Sequence, residues 1–240
     1  MKALIWRELK ALYAGAGGWL ALAAVQLLTA WLLFAQLELY LKLAPRLSAL
    51  DSPLGMNDLV FTPTLAGAAL MLLLATPLLG MQSLAGELRS GRMALLLAAP
   101  LSARRLVLGK WLGLWLTALP LALPALVMTL ILGLGSHLDG GRWLASALAL
   151  ALVSGLAAAW SLWFSSLTDQ PILAAALAWG LLGLAWLVDA DRIPLLSLRA
   201  HLQPLLEGLV TSEALLWFGL LTLAPLALCV HRLWRLQGGD

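Results

Sequence analysis

Apolar positions along this chain come in long unbroken blocks, not in the alternation of strands or the one-sided stripe of soluble helices. Charge-free runs cover 19–37, 65–84, 111–135, 143–168, 170–188 and 214–230. A helix rising about 1.5 Å per residue needs about 20 apolar residues to cross about 30 Å of hydrocarbon. The pattern therefore predicts an all-α integral membrane protein with six transmembrane helices, near 19–41, 63–86, 106–135, 143–168, 170–188 and 213–235. They form one transmembrane domain over residues 1–240. Only "TDQP" parts the fourth span from the fifth, and Pro171 suits the first turn of a new helix, so an antiparallel hairpin is expected there.

Three stretches do not fit a span. Near the N-terminus, Leu4, Ile5, Leu9 and Leu12 form a stripe against Lys2, Arg7 and Lys10, which reads as an interfacial helix lying on the membrane surface. No small-residue cleavage site follows it, so the first span is expected to stay as an anchor. Residues 192–213 are semi-apolar and expected to be helical on either side of Pro204. Residues 42–63 are polar and Pro-rich, and no element is assigned to them.

Composition agrees with the class: 62% hydrophobic and 11% charged, with a mean hydropathy of +0.94. A soluble domain is roughly half apolar and about a quarter charged. One cysteine, Cys229, permits no internal disulfide. The distribution of charge says more than its net value. Lys2, Arg7, Lys10, Arg89, Arg92, Arg104, Arg105, Lys110, Arg232 and Arg235 fall on one side of the six-span topology. Lys42, Arg46, Arg142, Arg192 and Arg199 fall on the other, with most of the acids. The cation-rich side is expected to be cytoplasmic, with both termini there and the membrane a bacterial inner membrane. Trp19, Trp111, Trp143, Trp186, Trp217 and Trp234 lie near span ends, where an amphipathic ring suits the headgroup zone.

Candidate chemistry is sparse. The charge-free runs carry no proton- or ion-coupling group, so the energy for any transport is expected from elsewhere. "VLGKW" lacks the first Gly and the closing Ser or Thr of a phosphate-binding loop, so this chain alone is not expected to bind nucleotide. His137, His201 and His231 form no metal motif, and no cofactor is expected in this chain. Ser146, Ser154, Ser161, Ser165 and Ser166 read as small residues permitting close helix contact, not as nucleophiles, because no histidine lies at matching depth. Pro120 and Pro124 in the third span serve equally well as a hinge or as a static kink relieved by Thr117. Pro77 in the second span reads similarly.

One stretch stands apart: "GELRSGRMALLLAAPLSARRLVLGK", residues 86–110. Its apolar centre, about seven residues, is far too short to cross. Glu87, Arg89, Arg92, Arg104, Arg105 and Lys110 surround it. It is expected to form a short surface helix ending near Pro100, with a second start at Ser102 and the arginine pair anchoring entry to the third span. It is either a positive-inside loop or a docking helix whose apolar residues fit a groove on a partner.

Glu87, Gly91, Leu95, Leu96, Pro100 and Ser102, followed by "LGK" at 108–110, resemble the cytoplasmic coupling segment of type-2 ABC exporter permeases. The nearest branch is the gliding-motility (GldF-like) type, with the nitrous-oxide-reductase maturation permeases (NosY-like) as cousins. "FSSLTDQPILAAALAWGLL" and "LSLRAHLQPLLEGLV" resemble that branch's fourth-to-fifth hairpin and the helical segment before its last span. The resemblance implies a permease without ATPase activity that works as a dimer, a homodimer by expectation. Each copy would seat its coupling segment in a separate cytoplasmic ABC ATPase that holds ATP and magnesium, with an extracytoplasmic accessory protein and membrane lipid completing the partners. It further implies that Glu87, Arg89, Gly91, Arg92, Met93, Leu96, Pro100 and Ser102 form the docking surface. Glu87 would set charge pairing and the helix start, Gly91 would allow close approach, and Met93 and Leu96 would supply the apolar fit. Two positions depart from the family pattern: Arg92 stands where Thr is common and Ala94 where an acid is frequent, which makes the contact more basic. The alternatives are a non-transporting scaffold or assembly factor of an envelope complex, using the same stretch to hold a partner without ATP-driven motion, and an intramembrane hydrolase, which lacks a base.

Overall fold

The computed structural model describes residues 6, 10, 14–49, 55–91, 93, 102–134, 139–188 and 193–236. The described residues contain helices and no strand. The helices are α1 (Ala16–Ala49), α2 (Thr62–Gly80), α3 (Ala85–Arg89), α4 (Ala103–Ala118), α5 (Leu123–Leu134), α6 (Gly140–Leu167), α7 (Pro171–Leu187), α8 (Leu198–Leu206) and α9 (Ser212–Leu236).

Five helical stretches are long and apolar enough to cross a membrane: Gly17–Arg46, Asn57–Arg89, Ala103–Gly133, Gly140–Leu167 and Ser212–Leu236. The hairpin partner of α6, α7, is apolar but only 17 residues long. The N-terminal interfacial helix falls outside the described residues, apart from Trp6 and Lys10, whose ammonium lies 5.3 Å from the Trp6 ring centroid.

The bundle is built around α6. Its most apolar window is 61% buried, against 17% for α1, so α6 is the central helix and α1 a peripheral one. Asp139 caps α6, its carboxylate accepting from the N–H groups of Gly141 and Arg142 at 2.9 and 3.2 Å. The α6 face is small: Ala149, Val153, Ala157 and Ser161 are buried, and α2 and α4 come close. A Cβ on Gly80 would meet Leu114 Cδ2 at 2.7 Å and Ser161 Cβ at 2.9 Å, so this crossing demands glycine. The serines thus act partly as the sequence suggests, and Ser161 also returns its hydroxyl to Ala157 O at 2.6 Å.

Several tryptophans tie elements together through their indole N–H. Trp111 donates to Gly155 O, Trp115 to Ala151 O, Trp143 to Leu126 O, Trp179 to Leu74 O and Trp217 to Leu195 O, all within 3.1 Å. Trp143 and Trp217 therefore bind backbone on neighbouring segments as well as standing near helix starts, whereas Trp111 lies in the middle of α4. In an apolar surround, such a bond satisfies a carbonyl and a donor at once.

Three local expectations change. Residues 42–49 extend α1 through Pro45, supported by Leu- and Ala-rich sequence and by a Glu38–Lys42 pair at 2.6 Å. Asn57–Phe61 forms a π turn, in which Thr62 N–H reaches Asn57 O. Pro63 has no N–H for the carbonyl four residues back, and the wider turn accommodates its ring. The third pass breaks into α4 and α5 at a 3₁₀ turn, Leu119–Leu121, which contains Pro120 and comes just before Pro124. Within α4, Thr117 donates its hydroxyl to Gly113 O at 2.6 Å. Finally, α8 runs through Pro204 but only two residues past it. It stops at Leu206 because Gly208, at φ +94°, turns the chain. Leu209 N–H then returns to Pro204 O and Gly208 N–H to Leu205 O, the Schellman arrangement.

Candidate functional site

The stretch singled out in the sequence leaves α2 by a sharp elbow. After Gly80 the chain turns through residues 81–84 and restarts as α3. Such a joint leaves carbonyls at the end of one helix and N–H groups at the start of the next without helical partners. Ser165, near the end of α6, serves both. Its hydroxyl donates to Met81 O at 3.0 Å and accepts from Leu84 N–H at 3.0 Å and Ala85 N–H at 2.9 Å. A buried serine on another helix thus holds the elbow together.

The second clamp comes from α4. Lys110 is 1% exposed, and its ammonium donates to Ser83 O at 2.7 Å and lies 3.0 Å from Glu87 Oε1. Burying an ammonium is tolerable only where a carboxylate and further acceptors compensate it, and both are supplied here. A compact core surrounds the clamp: Leu84, Met93, Ala103, Leu106 and Val107 against Ala159, Leu162, Leu226, Cys229 and Leu233. Helices α2, α3, α4, α6 and α9 therefore meet at one joint.

This places the expected docking residues in two groups. Glu87 faces Lys110 with 14% of its side chain exposed, and Met93 is buried in the joint's core. Arg89, Gly91 and Ser102 are exposed, Gly91 at φ +71° and Ser102 immediately before α4. Arg92, Leu96 and Pro100 lie outside the described residues. Sequence reasoning counted Lys110 as one more loop cation and Ser165 as a small packing residue. The signal for Lys110 was its place at the head of an apolar run without polar neighbours.

A second polar cluster sits at the other end of the same helices. Arg142, in the first turn of α6, donates through Nη2 to Asp58 Oδ1 at 2.8 Å and Thr62 Oγ1 at 2.7 Å, and through Nε to Leu206 O at 3.1 Å. Asp58 also accepts from Gly55 N–H at 3.2 Å. The π turn sets Asp58 and Thr62 together on the side facing Arg142. Beside this cluster opens a cleft of about 340 Å³, bordered by the starts of α2 and α6, the end of α7 and one face of α8. His201 lies nearby on α8 and stacks on Trp217, with ring centroids 4.5 Å apart, while its Nδ1 is 3.1 Å from Ser197 O.

Among the described residues no group of three or more His, Cys, Asp and Glu side chains is arranged to hold a metal. A family model described as ABC-2 family transporter protein matches residues 46–188, a span containing the elbow with Lys110 and Ser165, and Asp58, Thr62 and Arg142, but not α8. No curated protein matches the sequence.

Proposed function

The chain belongs to the ABC-2 family of transporter proteins, and from that membership we propose that it is the permease subunit of an ABC exporter driven by a separate ATPase. The observation that carries the reading is the clamped elbow. A partner pushing on residues 89–102 would act on a segment fastened to α2, α4 and α6 by Lys110, Glu87 and Ser165. The exposed Arg89, Gly91 and Ser102, together with Arg92, Leu96 and Pro100, would meet the ATPase, while Glu87 and Met93 would hold the segment to the bundle. Catalysis, ATP and magnesium belong to that partner.

The finer features follow. With α7 counted, six helices cross; its 17 residues lie at the short end of what a bilayer accepts. The elbow end carries Arg89, Arg104, Arg105, Arg232 and Arg235, which favours a cytoplasmic address for it and for both termini in a bacterial inner membrane. Two copies pair as a homodimer, and the branch is the GldF-like or NosY-like one. An extracytoplasmic accessory protein remains part of the proposal.

The test is co-purification from the native host. The full chain should bring down a protein with a nucleotide-binding domain. The Arg89→Glu, Leu96→Asp double variant should lose at least about tenfold of it while inserting normally, as expected when charge and apolar contact are both removed from a docking site. Undiminished recovery would overturn the docking surface, and recovery without ATP turnover would favour the scaffold.

A further inference from the structure

The cleft at the Arg142 end has walls of two kinds. Pro63, Ala66, Leu202 and Leu206 make an apolar side, and Trp186 adds an aromatic edge. The polar side carries Asp58, Arg142, Arg199, Gln203 and Glu207. Most of these groups are already engaged. Asp58 is paired with Arg142, and Glu207 accepts from Gln203 at 2.9 Å. Arg199 differs: its guanidinium lies over the Trp186 ring, 5.5 Å from the centroid, and no carboxylate among the described residues pairs with it. A planar cation laid on an aromatic face keeps its edge donors free for an anion.

Surroundings indicate what kind of anion. Leu187 follows Trp186 in the chain and is 79% exposed; Leu195 is 72% exposed; Leu209 and Val210 follow the lining residue Glu207 and are also exposed. Large apolar side chains so open to the outside, on both segments flanking the cleft, belong against acyl chains and not against water. A volume of about 340 Å³ suits a headgroup and the first part of a chain, at the small end of ligand pockets.

From this the geometry points to a binding site for an anionic amphiphile, with its phosphate or carboxylate on Arg199 and its hydrocarbon along Ala66, Leu202 and Trp186. The site stands at the opposite end of α2 and α6 from the elbow and does not require ATPase docking. Failure of either reading therefore leaves the other intact.

The experiment titrates the full chain in neutral detergent with dioleoyl phosphatidylglycerol, and separately with dioleoyl phosphatidylcholine and inorganic phosphate, counting bound lipid by native mass spectrometry. Arg199→Gln should weaken phosphatidylglycerol binding about tenfold, the loss of one charge-assisted contact, and leave phosphatidylcholine unchanged. Arg199→Lys should restore part of the affinity. Trp186→Leu should weaken binding less. Arg235→Gln, an exposed cation at the other end, should have no effect. Since Arg199 is exposed, these variants are expected to fold, and an unchanged unfolding temperature checks that. Equal binding by wild type and Arg199→Gln would overturn the site. So would an equal loss in Arg235→Gln, which would mean diffuse surface charge, or displacement by inorganic phosphate as effective as by the lipid, which would mean a soluble anion.

Discussion

The two ends of α2 and α6 are joined by the same kind of device, with opposite results. At one end Lys110 and Glu87 pair at 3.0 Å with the ammonium 1% exposed, inside a packed core. At the other, Arg142 and Asp58 pair at 2.8 Å with side chains 18% and 36% exposed, beside an open cleft. A buried pair is rigid because neither partner has water to fall back on; a half-exposed pair can exchange one hydrogen bond for a solvent one at small cost. The first end is built to transmit a displacement, the second to admit a ligand. Nineteen residues of α2, about 28 Å of helix, separate them.

The largest expected effect tests the closed end. Lys110→Met removes the cation 3.0 Å from Glu87 and leaves that carboxylate in a nearly buried setting, which should cost about 3–5 kcal/mol. Unfolding in mixed micelles measures it. The added change Glu87→Gln should recover part of the loss, with a coupling energy of about 0.5–3 kcal/mol. Strict additivity of the two substitutions would mean that the pair is not a clamp.

Ser165→Ala comes next. It removes one donor and one acceptor that serve three backbone groups at the elbow, and should cost about 1–3 kcal/mol. Hydrogen exchange gives a sharper reading than global stability. The Leu84 and Ala85 amides should exchange faster in the variant while amides in the middle of α6 do not change. Unaltered exchange at Leu84 and Ala85 would show that the serine does not hold the joint.

How much of this was legible beforehand varies with the range of the interaction. Long apolar runs placed the membrane class and the main helices, because one-dimensional hydrophobicity is what a bilayer selects. The π turn before Pro63 and the stop of α8 at Gly208 are local, yet they depend on backbone details that composition obscures. The joint was hidden for a different reason. Ser165 lies 81 positions from Leu84 and Lys110 lies 27 from Ser83, so only the packed fold brings them together. The family resemblance put Glu87 on the docking surface; its contact with Lys110, 23 positions away, appears only in the packed fold. Arg142 and Asp58, 84 positions apart, entered the sequence reading only as charges on the less cationic side.

The smallest expected effect decides whether the two ends differ in kind. Asp58→Asn keeps one oxygen to accept from Arg142, while Gly55 N–H, held at 3.2 Å by the other carboxylate oxygen, passes to water; Arg142 retains Thr62 Oγ1 and Leu206 O. What disappears is mainly the Coulomb attraction of a partly hydrated pair, about 0.2–1 kcal/mol. Raising salt to about 1 M, where the screening length falls to about 3 Å, should erase most of the difference between wild type and variant. The Lys110→Met deficit should persist under the same salt, because ions do not enter that core. If Asp58→Asn proves as costly and as salt-insensitive as Lys110→Met, the Arg142 end is a second rigid clamp. A cleft beside it would then be a fixed recess and not a site that adjusts to what it binds.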